Sequence, residues 1–570
     1  MDIRPEYIDP KPTTEYLRYI PIGGLGEVGK NMALVEYGED IVIIDVGMGF
    51  PEEEMFGVDL VLPDISYLEG KRHRIRGICI THAHEDHIGG LAWLLPQINA
   101  PIYGTPISLG LIANKLKERG LLGQADMREV RAGDVIALGA LDVEFVHVCH
   151  SIPDACLLAI HSPLGTIVHT GDFKLDPTPI DGWLTDYETL ARLGRDGVLA
   201  LFTDCVHVES PGYTPSEQAV GRTLDPIIAN APGRVIIATF ASLISRVQQI
   251  IDIAARYRRK VALLGRSLEN NVQVAVELGY LQIPDGVLVS VADTSRLRDD
   301  EVVVICTGAQ GEPTSALSRI ANDDSRHWSV KPGDIYILSA TPIPGNETSV
   351  SRVINNLFTK GAEVIYSSIS PVHVSGHASQ EEHKLMLNLL RPKYVVPIHG
   401  ERRHLVMYSR VAQSVGIPAD NIFLVDNGYV VELNQREARI AGRVQAGNVF
   451  VDGLGVGDVG QVVIRDRQLL AKDGVLLVVV TVDKQTGELV AGPDIVTRGF
   501  VYAAEAGELL DDTKERVRDA LYAHDGRGRR PGNTPPDWNY INKKIRETVS
   551  QYLYDQTRRR PMVLPVVVEV

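Results

Sequence analysis

Six residues constrain this chain more than any others: His82-Ala83-His84-Glu85-Asp86-His87. An apolar run at 77–81 precedes them and reads as a strand, and Gly89-Gly90 follows, which places the cluster at a packed strand-to-helix turn. Imidazole and carboxylate donors suit zinc or manganese, and the absence of cysteine disfavours a closed structural zinc site. Four potential ligands, His82, His84, Asp86 and His87, cannot all face one ion from the end of one strand. They can divide between two ions that lie a few ångströms apart.

Two ions require further ligands, one of them shared. Asp172, in Thr170-Gly171-Asp172-Phe173-Lys174, follows a strand at 166–170 and offers a bridging carboxylate. His150, in Cys149-His150-Ser151-Ile152-Pro153-Asp154, and His399, in Val396-Pro397-Ile398-His399-Gly400-Glu401, also read as strand ends. The expected arrangement is His82, His84, His150 and Asp172 around one ion, with Asp86, His87, Asp172 and His399 around the other. Two dications lower the pKa of a bridging water, so that hydroxide exists near neutrality, and they stabilise charge on phosphoryl oxygens. The leaving oxygen then needs a general acid, for which histidine is the natural side chain.

The remainder of the chain narrows the class. Its 570 residues suffice for two or three domains. The longest apolar run, about eight residues at 475–482, suits a buried strand and is far too short for a membrane span. Residues 1–6 carry acid and proline where a signal peptide would be basic and then apolar. The five scattered cysteines point to reduced thiols, so a cytoplasmic protein is expected. A net charge of −16 excludes simple charge-driven nucleic-acid binding, though local basic clusters and bound dications can still hold an anionic polymer. Three such clusters stand out, at 71–76, 256–260 and 527–530.

Strands are expected at 18–22, 32–37 and 41–45. Between the first two, Gly24-Leu25-Gly26-Glu27-Val28-Gly29 fits the dinucleotide fingerprint letter by letter. That fingerprint requires a helix immediately afterwards, and the alternation from Asn31 to Gly38 reads as a strand, so a hairpin-type glycine turn is the better reading. From roughly 215 to 365 helices (216–229, 242–257, 268–278) alternate with strands (235–239, 302–306), the texture of an inserted domain with a parallel sheet. Strands resume from 365 to about 440. After Gly447 a tail follows, with a strand at 475–482 and helices at 511–524 and 538–555.

The ordered set of motifs resembles the metallo-β-lactamase superfamily, and the insertion between Asp172 and His399 resembles its β-CASP branch of nucleases. More closely, Gly23 to Asn31, Thr81 to Gly90, Pro211-Gly212-Tyr213-Thr214-Pro215-Ser216-Glu217 and His373-Val374-Ser375-Gly376-His377 are similar to bacterial and archaeal ribonuclease J, over nearly the whole chain. The resemblance implies an α/β protein. Its parts are a metallo-β-lactamase αββα sandwich (1–212 and 367–446), an inserted β-CASP α/β domain (213–366) and a linker with a small α+β C-terminal domain (447–570). It implies a zinc- or manganese-dependent exo- and endoribonuclease on single-stranded RNA, working 5′ to 3′ from a 5′-monophosphate in RNA maturation and decay. A homodimer or homotetramer, working with RNA-degradation partners and no membrane, is implied as well. His377 would be the proton donor, Asp204 its acidic partner, and Asp86 would serve catalysis as a metal ligand. Ser242, Leu243, Ile244, His373, Val374, Ser375, Gly376 and His377 would hold the substrate phosphate, and Asp45 would brace the metal loops. A calcium near Phe56, Val58 and Asp452 is implied too.

One departure from the family pattern is visible. Where the family reads Ser-Asp-Ser-Thr-Asn, this chain has Thr203-Asp204-Cys205-Val206-His207, and His207 is expected to face solvent, the alternative being that it replaces a polar contact. A lactonase or thioesterase on the same scaffold, a non-catalytic RNA-binding protein and a DNA nuclease are the alternatives. A large insert and the His377 motif count against the first, and the intact ligand set counts against the second. The DNA nuclease is separated only by the resemblance to ribonuclease J.

Overall fold

The computed structural model describes residues 5–52, 54–326, 328–343, 345–453, 455–484, 489–501, 506–522 and 538–570. The chain forms two compact units, Met1–Phe50 with Leu60–Val449, and Pro51–Asp59 with Phe450–Val570. The small piece at 51–59 grouped with the tail carried no signal in the sequence. No helix among the described residues is long and apolar enough to cross a membrane.

In the first unit two sheets lie face to face. One runs in the order Ala438–Arg443, Tyr429–Leu433, Leu17–Gly23, Met32–Tyr37, Asp40–Ile44, Ile75–Cys79, Ile102–Gly104, Met127–Glu129. The other runs Tyr394–Ile398, Val198–Asp204, Gly165–His169, Cys156–Ser162, Leu141–His147, Val135–Leu138. Strands buried on both faces need near-continuous apolar runs, as Val198–Asp204 has, rather than strict alternation. Tyr19 of the first sheet stacks on Phe202 of the second with ring centroids 3.6 Å apart, inside a layer that includes Ile44, Cys79, Phe145 and Leu158. Helices Tyr187–Asp196, Gln380–Leu390 and Arg402–Ser414 close the outer face of the second sheet with Leu190, Met386, Leu387 and Tyr408. Helices Leu91–Ile98 and Pro106–Glu118 link the parallel strands of the first sheet and bury Leu94, Leu95, Ile112 and Leu116. The layers are therefore αββα.

Two of those helices correct the expectation of strands throughout 365–440. Gln380–Leu390 begins with a capping box between Ser379 and Glu382, and its buried positions His383, Met386, Leu387 and Leu390 follow helical spacing. That signal was present in the sequence and the strand reading passed over it.

The insert carries a five-stranded parallel sheet in the order Lys260–Leu264, Val302–Cys306, Val235–Ala238, Ile335–Leu338, Glu363–Tyr366. Helix Ile244–Arg256 leaves the end of the central strand, so its N-terminus lies where the strand order reverses. Arg246 on this helix is fully buried. It donates to Glu217 Oε2 at 2.6 Å, to the carbonyl of Val372 at 2.9 Å and to the Ser339 hydroxyl, and thereby ties the insert to the segment that leads back to the core. In the second unit, the sheet Leu489–Arg498, Val475–Val482, Met562–Glu569 packs one face on helices Gly507–Tyr522 and Trp538–Thr557.

Replacing Arg246 by alanine strands a buried carboxylate. The expected loss is about 3–5 kcal/mol, towards the lower end because Lys174 Nζ still lies 3.5 Å from Glu217 Oε1. A urea unfolding curve checks this, and an unchanged midpoint would contradict it.

Candidate active site

The apolar strand Ile75–Cys79 ends against the sandwich core, and the chain turns through Thr81 and His82 into the short helix Glu85–Ile88. This turn aims several side chains at one spot. Asp172 reaches the same spot three residues after Gly165–His169, and His399 arrives directly after Tyr394–Ile398. His150 is placed differently from expectation, since its strand ends at His147 and the ring sits in the turn that follows.

Three overlapping groups of possible ligands result: His82, His84, His150 and Asp172; Asp86, His87, Asp172 and His399; and Asp172, Asp204, His377 and His399, with ligand atoms inside each group within 4.8 Å of one another. Asp172 is common to all three. Its Oδ2 lies 3.6 Å from His82 Nε2, 3.8 Å from His150 Nε2 and 3.3 Å from His87 Nε2, and its Oδ1 lies 2.8 Å from His399 Nδ1. His84 Nδ1 is 3.1 Å from both His82 Nε2 and His150 Nε2, and His399 Nε2 is 3.3 Å from Asp86 Oδ2.

Neighbouring groups fix three of the rings. Asp45 accepts from the backbone N–H of Thr81 at 2.8 Å and from its hydroxyl at 2.7 Å, and its Oδ2 lies 2.8 Å from His87 Nδ1. His87 therefore donates from Nδ1 and turns Nε2 inward. Because the Thr81 hydroxyl already donates, His82 Nδ1, 3.1 Å away, is the donor in that contact and Nε2 faces the cluster. His150 Nδ1 donates to the carbonyl of Gly376 at 2.7 Å, which links a putting-in-place of one ligand to the 373–377 segment. A Cβ at Gly376 would fall 2.7 Å from His150 Cε1, so only glycine permits this approach. Asp45 (φ 57°) and His399 (φ 50°) both hold left-handed backbone, the kind of strain that accumulates at functional sites.

The electrostatics call for cations. Burial holds His82 and His150 well below the usual imidazole range and His84 down to about 4, the neutral form that ligates metal. At His87 and His399 burial is outweighed by carboxylates: Asp172, Asp86 and Asp45 raise His87, while Asp172 and Asp86 push His399 up to about 10. His399 Nδ1 and Nε2 and Asp172 Oδ1 are buried and face one another or Asp86 as ion pairs outside regular hydrogen-bond geometry. Buried carboxylates and ring nitrogens converging in this way suit metal cations. Beside them, His377 Nδ1 lies 2.8 Å from Asp204 Oδ2, and its pKa is raised because Asp204 and Asp172 outweigh burial.

Four family models match along the chain: "Metallo-beta-lactamase superfamily" at 25–213, "Ribonuclease J, beta-CASP domain" at 232–357, "Zn-dependent metallo-hydrolase RNA specificity domain" at 361–421 and "Ribonuclease J C-terminal domain" at 462–570. Ribonuclease J2 of Bacillus subtilis is 43% identical over 560 residues, covering 98% of this chain and 100% of that one. The chain belongs to the ribonuclease J family. Ribonuclease J of Thermus thermophilus is likewise 43% identical, over 97% of this chain and 96% of its own. A crystal structure of a protein of unknown function from Enterococcus faecalis shares the fold across 73% of this chain, with a TM-score of 0.51 and 18% identity. As a member of the ribonuclease J family the chain is a ribonuclease of the metallo-hydrolase class, with a metallo-β-lactamase core, a β-CASP insertion and a C-terminal domain.

Other expectations meet the structure less simply. Ser242 lies at the turn into helix Ile244–Arg256, whereas the Leu243 and Ile244 side chains are buried, so only their backbone and the Ser242 hydroxyl are suited to a phosphate. Within 373–377, His373 lies near Phe240, Val374 is buried, Ser375 accepts from the His377 N–H at 3.0 Å, and Gly376 holds His150. The calcium expected near Phe56, Val58 and Asp452 meets an occupied position. Arg467 donates to the Phe56 carbonyl at 2.8 Å and to Asp452 Oδ2 at 2.5 Å, so a guanidinium already supplies the positive charge there.

Two of the three basic clusters are largely spent locally. Lys71 pairs with Asp9, Arg76 with Asp40 and Arg256 with Asp225, while Arg259 is buried on the carbonyls of Gly233 and Ala231. The cluster at 527–530 lies outside the described residues. The nucleotide fingerprint is indeed a turn between strands Leu17–Gly23 and Met32–Tyr37: Gly24 takes φ 89°, and Gly26 N–H donates to Gly400 O at 2.9 Å, beside His399. Asn31, at the end of this turn, donates to Asp86 Oδ2 at 3.2 Å, a site contact that sequence reasoning missed. His207 does not face solvent freely, because both ring nitrogens are bonded.

Asp45 touches His87 and the Thr81 turn without joining any ligand group. Asp45→Ala is therefore expected to weaken metal binding by roughly 10–100-fold in a chelator competition, and unchanged affinity would contradict the bracing role.

Proposed function

We propose that this chain is a two-metal RNA phosphodiesterase with 5′-to-3′ exonuclease and endonuclease activity on single-stranded RNA, preferring a 5′-monophosphate. The observation that carries the reading is Asp172 shared by two His/Asp groups, with the His377–Asp204 pair beside it. His82, His84, His150 and Asp172 would hold one zinc or manganese ion, and Asp86, His87, Asp172 and His399 would hold the other. When bound, these dications acidify the attacking water and offset charge on the transferring phosphoryl group. His377, held through Nδ1 by Asp204, presents Nε2 and delivers a proton to the leaving oxygen. The residues around Arg467 do not fit a calcium, and no step uses one.

The 5′-phosphate is held between Ser242-Leu243-Ile244 and His373 to His377. Supporting this, the N-terminus of helix Ile244–Arg256 carries a favourable dipole for an anion. Thr239 Oγ1, Ser245 Oγ and His373 Nδ1, near that turn in sequence or space, are buried and lack hydrogen bonds among the described residues. An anchor for the terminal phosphate sets the distance to the reacting bond and favours stepwise removal of nucleotides. A strand that bypasses the anchor is cut internally. Residues 1–212 and 367–446 form the catalytic core in this reading, 213–366 the RNA-clamping insert, and 447–570 the oligomerisation domain. A homodimer or homotetramer is supported by the outer face of the tail sheet, where Val496, Leu564, Val566 and Val568 stay exposed. The enzyme works in the cytoplasm, in RNA maturation and decay, alongside other RNA-degrading partners.

The test uses 5′-monophosphorylated and 5′-triphosphorylated single-stranded RNA, and the matching DNA, with manganese or zinc. Mononucleotide release that favours monophosphorylated RNA is expected, with losses of at least about 100-fold in His84→Ala and His377→Ala. Full activity in either variant, or equal cutting of DNA, would overturn the reading.

A further inference from the structure

The structure gives His207 specific work. His207 lies in the turn after strand Val198–Asp204, and Val206 N–H donates back to Asp204 Oδ1 at 2.9 Å, so the turn and the acid are one rigid piece. Across from it lies the segment that carries His377 and continues into helix Gln380–Leu390.

Hydrogen-bond accounting orients the contacts between the two pieces. Thr214 Oγ1 lies 2.8 Å from the His377 carbonyl, and since a carbonyl only accepts, the threonine hydroxyl donates there. Ser379 Oγ, 2.9 Å from Thr214 Oγ1, must then donate to it. With its one proton used, Ser379 accepts from His207, whose Nδ1 is 3.2 Å away. The neutral ring is thereby fixed as the Nδ1–H tautomer, and Nε2 accepts from the Ser210 hydroxyl at 2.9 Å. Ser379 and Thr214 are buried, so each link would be costly to leave unmade. The chain of donors runs Ser210, His207, Ser379, Thr214, His377 carbonyl. It closes on itself through the His377 ring, which bonds Asp204 at 2.8 Å.

We propose that His207 is a positioning residue: its ring, offering one donor and one acceptor, sets the backbone of His377 in register with Asp204. An asparagine amide presents the same pair from one side chain, so His207→Asn is the conservative variant. Burial, together with the charge on His377, keeps His207 in the neutral form that this proton order needs.

This inference rests on the catalytic role proposed for His377, and the experiment separates the two. Steady-state kinetics on 5′-monophosphorylated RNA with manganese are measured for His207→Ala, His207→Asn, His377→Ala and the His207→Ala/His377→Ala double variant. His207→Ala is expected to lose roughly 10–100-fold in kcat, the scale for a displaced reacting group, with KM and bound metal unchanged. His207→Asn is expected to recover most of that loss, and the double variant to be no worse than His377→Ala alone. Wild-type kcat in His207→Ala, failure of asparagine to rescue, or full additivity overturns the positioning role. Retained activity in His377→Ala instead removes the catalytic reading beneath it. If His207→Ala does not fold, Ser210→Ala carries the test: it frees Nε2 with little change in packing. A several-fold drop in kcat supports the proposal and an unchanged kcat overturns it.

Discussion

A buried carboxylate needs positive charge near it, and Asp172 is the carboxylate on which this architecture depends. Its two oxygens lie within 3.8 Å of nitrogen atoms from His82, His87, His150 and His399, so three stretches of chain far apart in sequence converge on one residue. Both sheets of the sandwich contribute to that convergence. The turn after Ile75–Cys79 comes from one, and the loops after Leu141–His147, Gly165–His169 and Tyr394–Ile398 come from the other. The apolar layer between the sheets, with Tyr19 stacked on Phe202, holds these loop origins in fixed relation. Without that layer the donor groups would have no reason to meet.

Around the donors lies a second tier that decides which atom of each ring points inward. Asp45 orients His87, the Thr81 hydroxyl orients His82, and the Gly376 carbonyl orients His150. The last contact joins the metal-ligand side of the site to the 373–377 segment, whose other end is pinned by His207 through Ser379 and Thr214. His377 and His150 are thus held by the same short stretch of backbone. The insert is held to that stretch by Arg246, which reaches the Val372 carbonyl. Insert and site are joined through a side chain that is buried.

How much of this the sequence disclosed depends on how local each signal was. His82 to His87 is a dense local motif, and the fold brings it together with His150, Asp172 and His399. The runs at 302–306 and 475–482 are apolar enough to mark strands to the residue. Less local features were lost. Helices Gln380–Leu390 and Arg402–Ser414 were read as strands, although a capping box marks the first. The grouping of Pro51–Asp59 with the tail, the Arg467 contact with Asp452 and the pairing of Lys71 with Asp9 are long-range facts that no window of sequence contains. For His207 the solvent-facing reading fails and the polar-contact alternative holds, through a partner, Ser379, that lies 172 residues away.

The central claim is that two ions share Asp172, and metal stoichiometry tests it most directly. After chelation, reconstitution with zinc or manganese and removal of excess ion, elemental analysis should find about two ions per chain. Asp172→Ala should hold clearly fewer while keeping the secondary structure of the parent. A single ion in the parent chain, or undiminished binding in Asp172→Ala, would contradict the account.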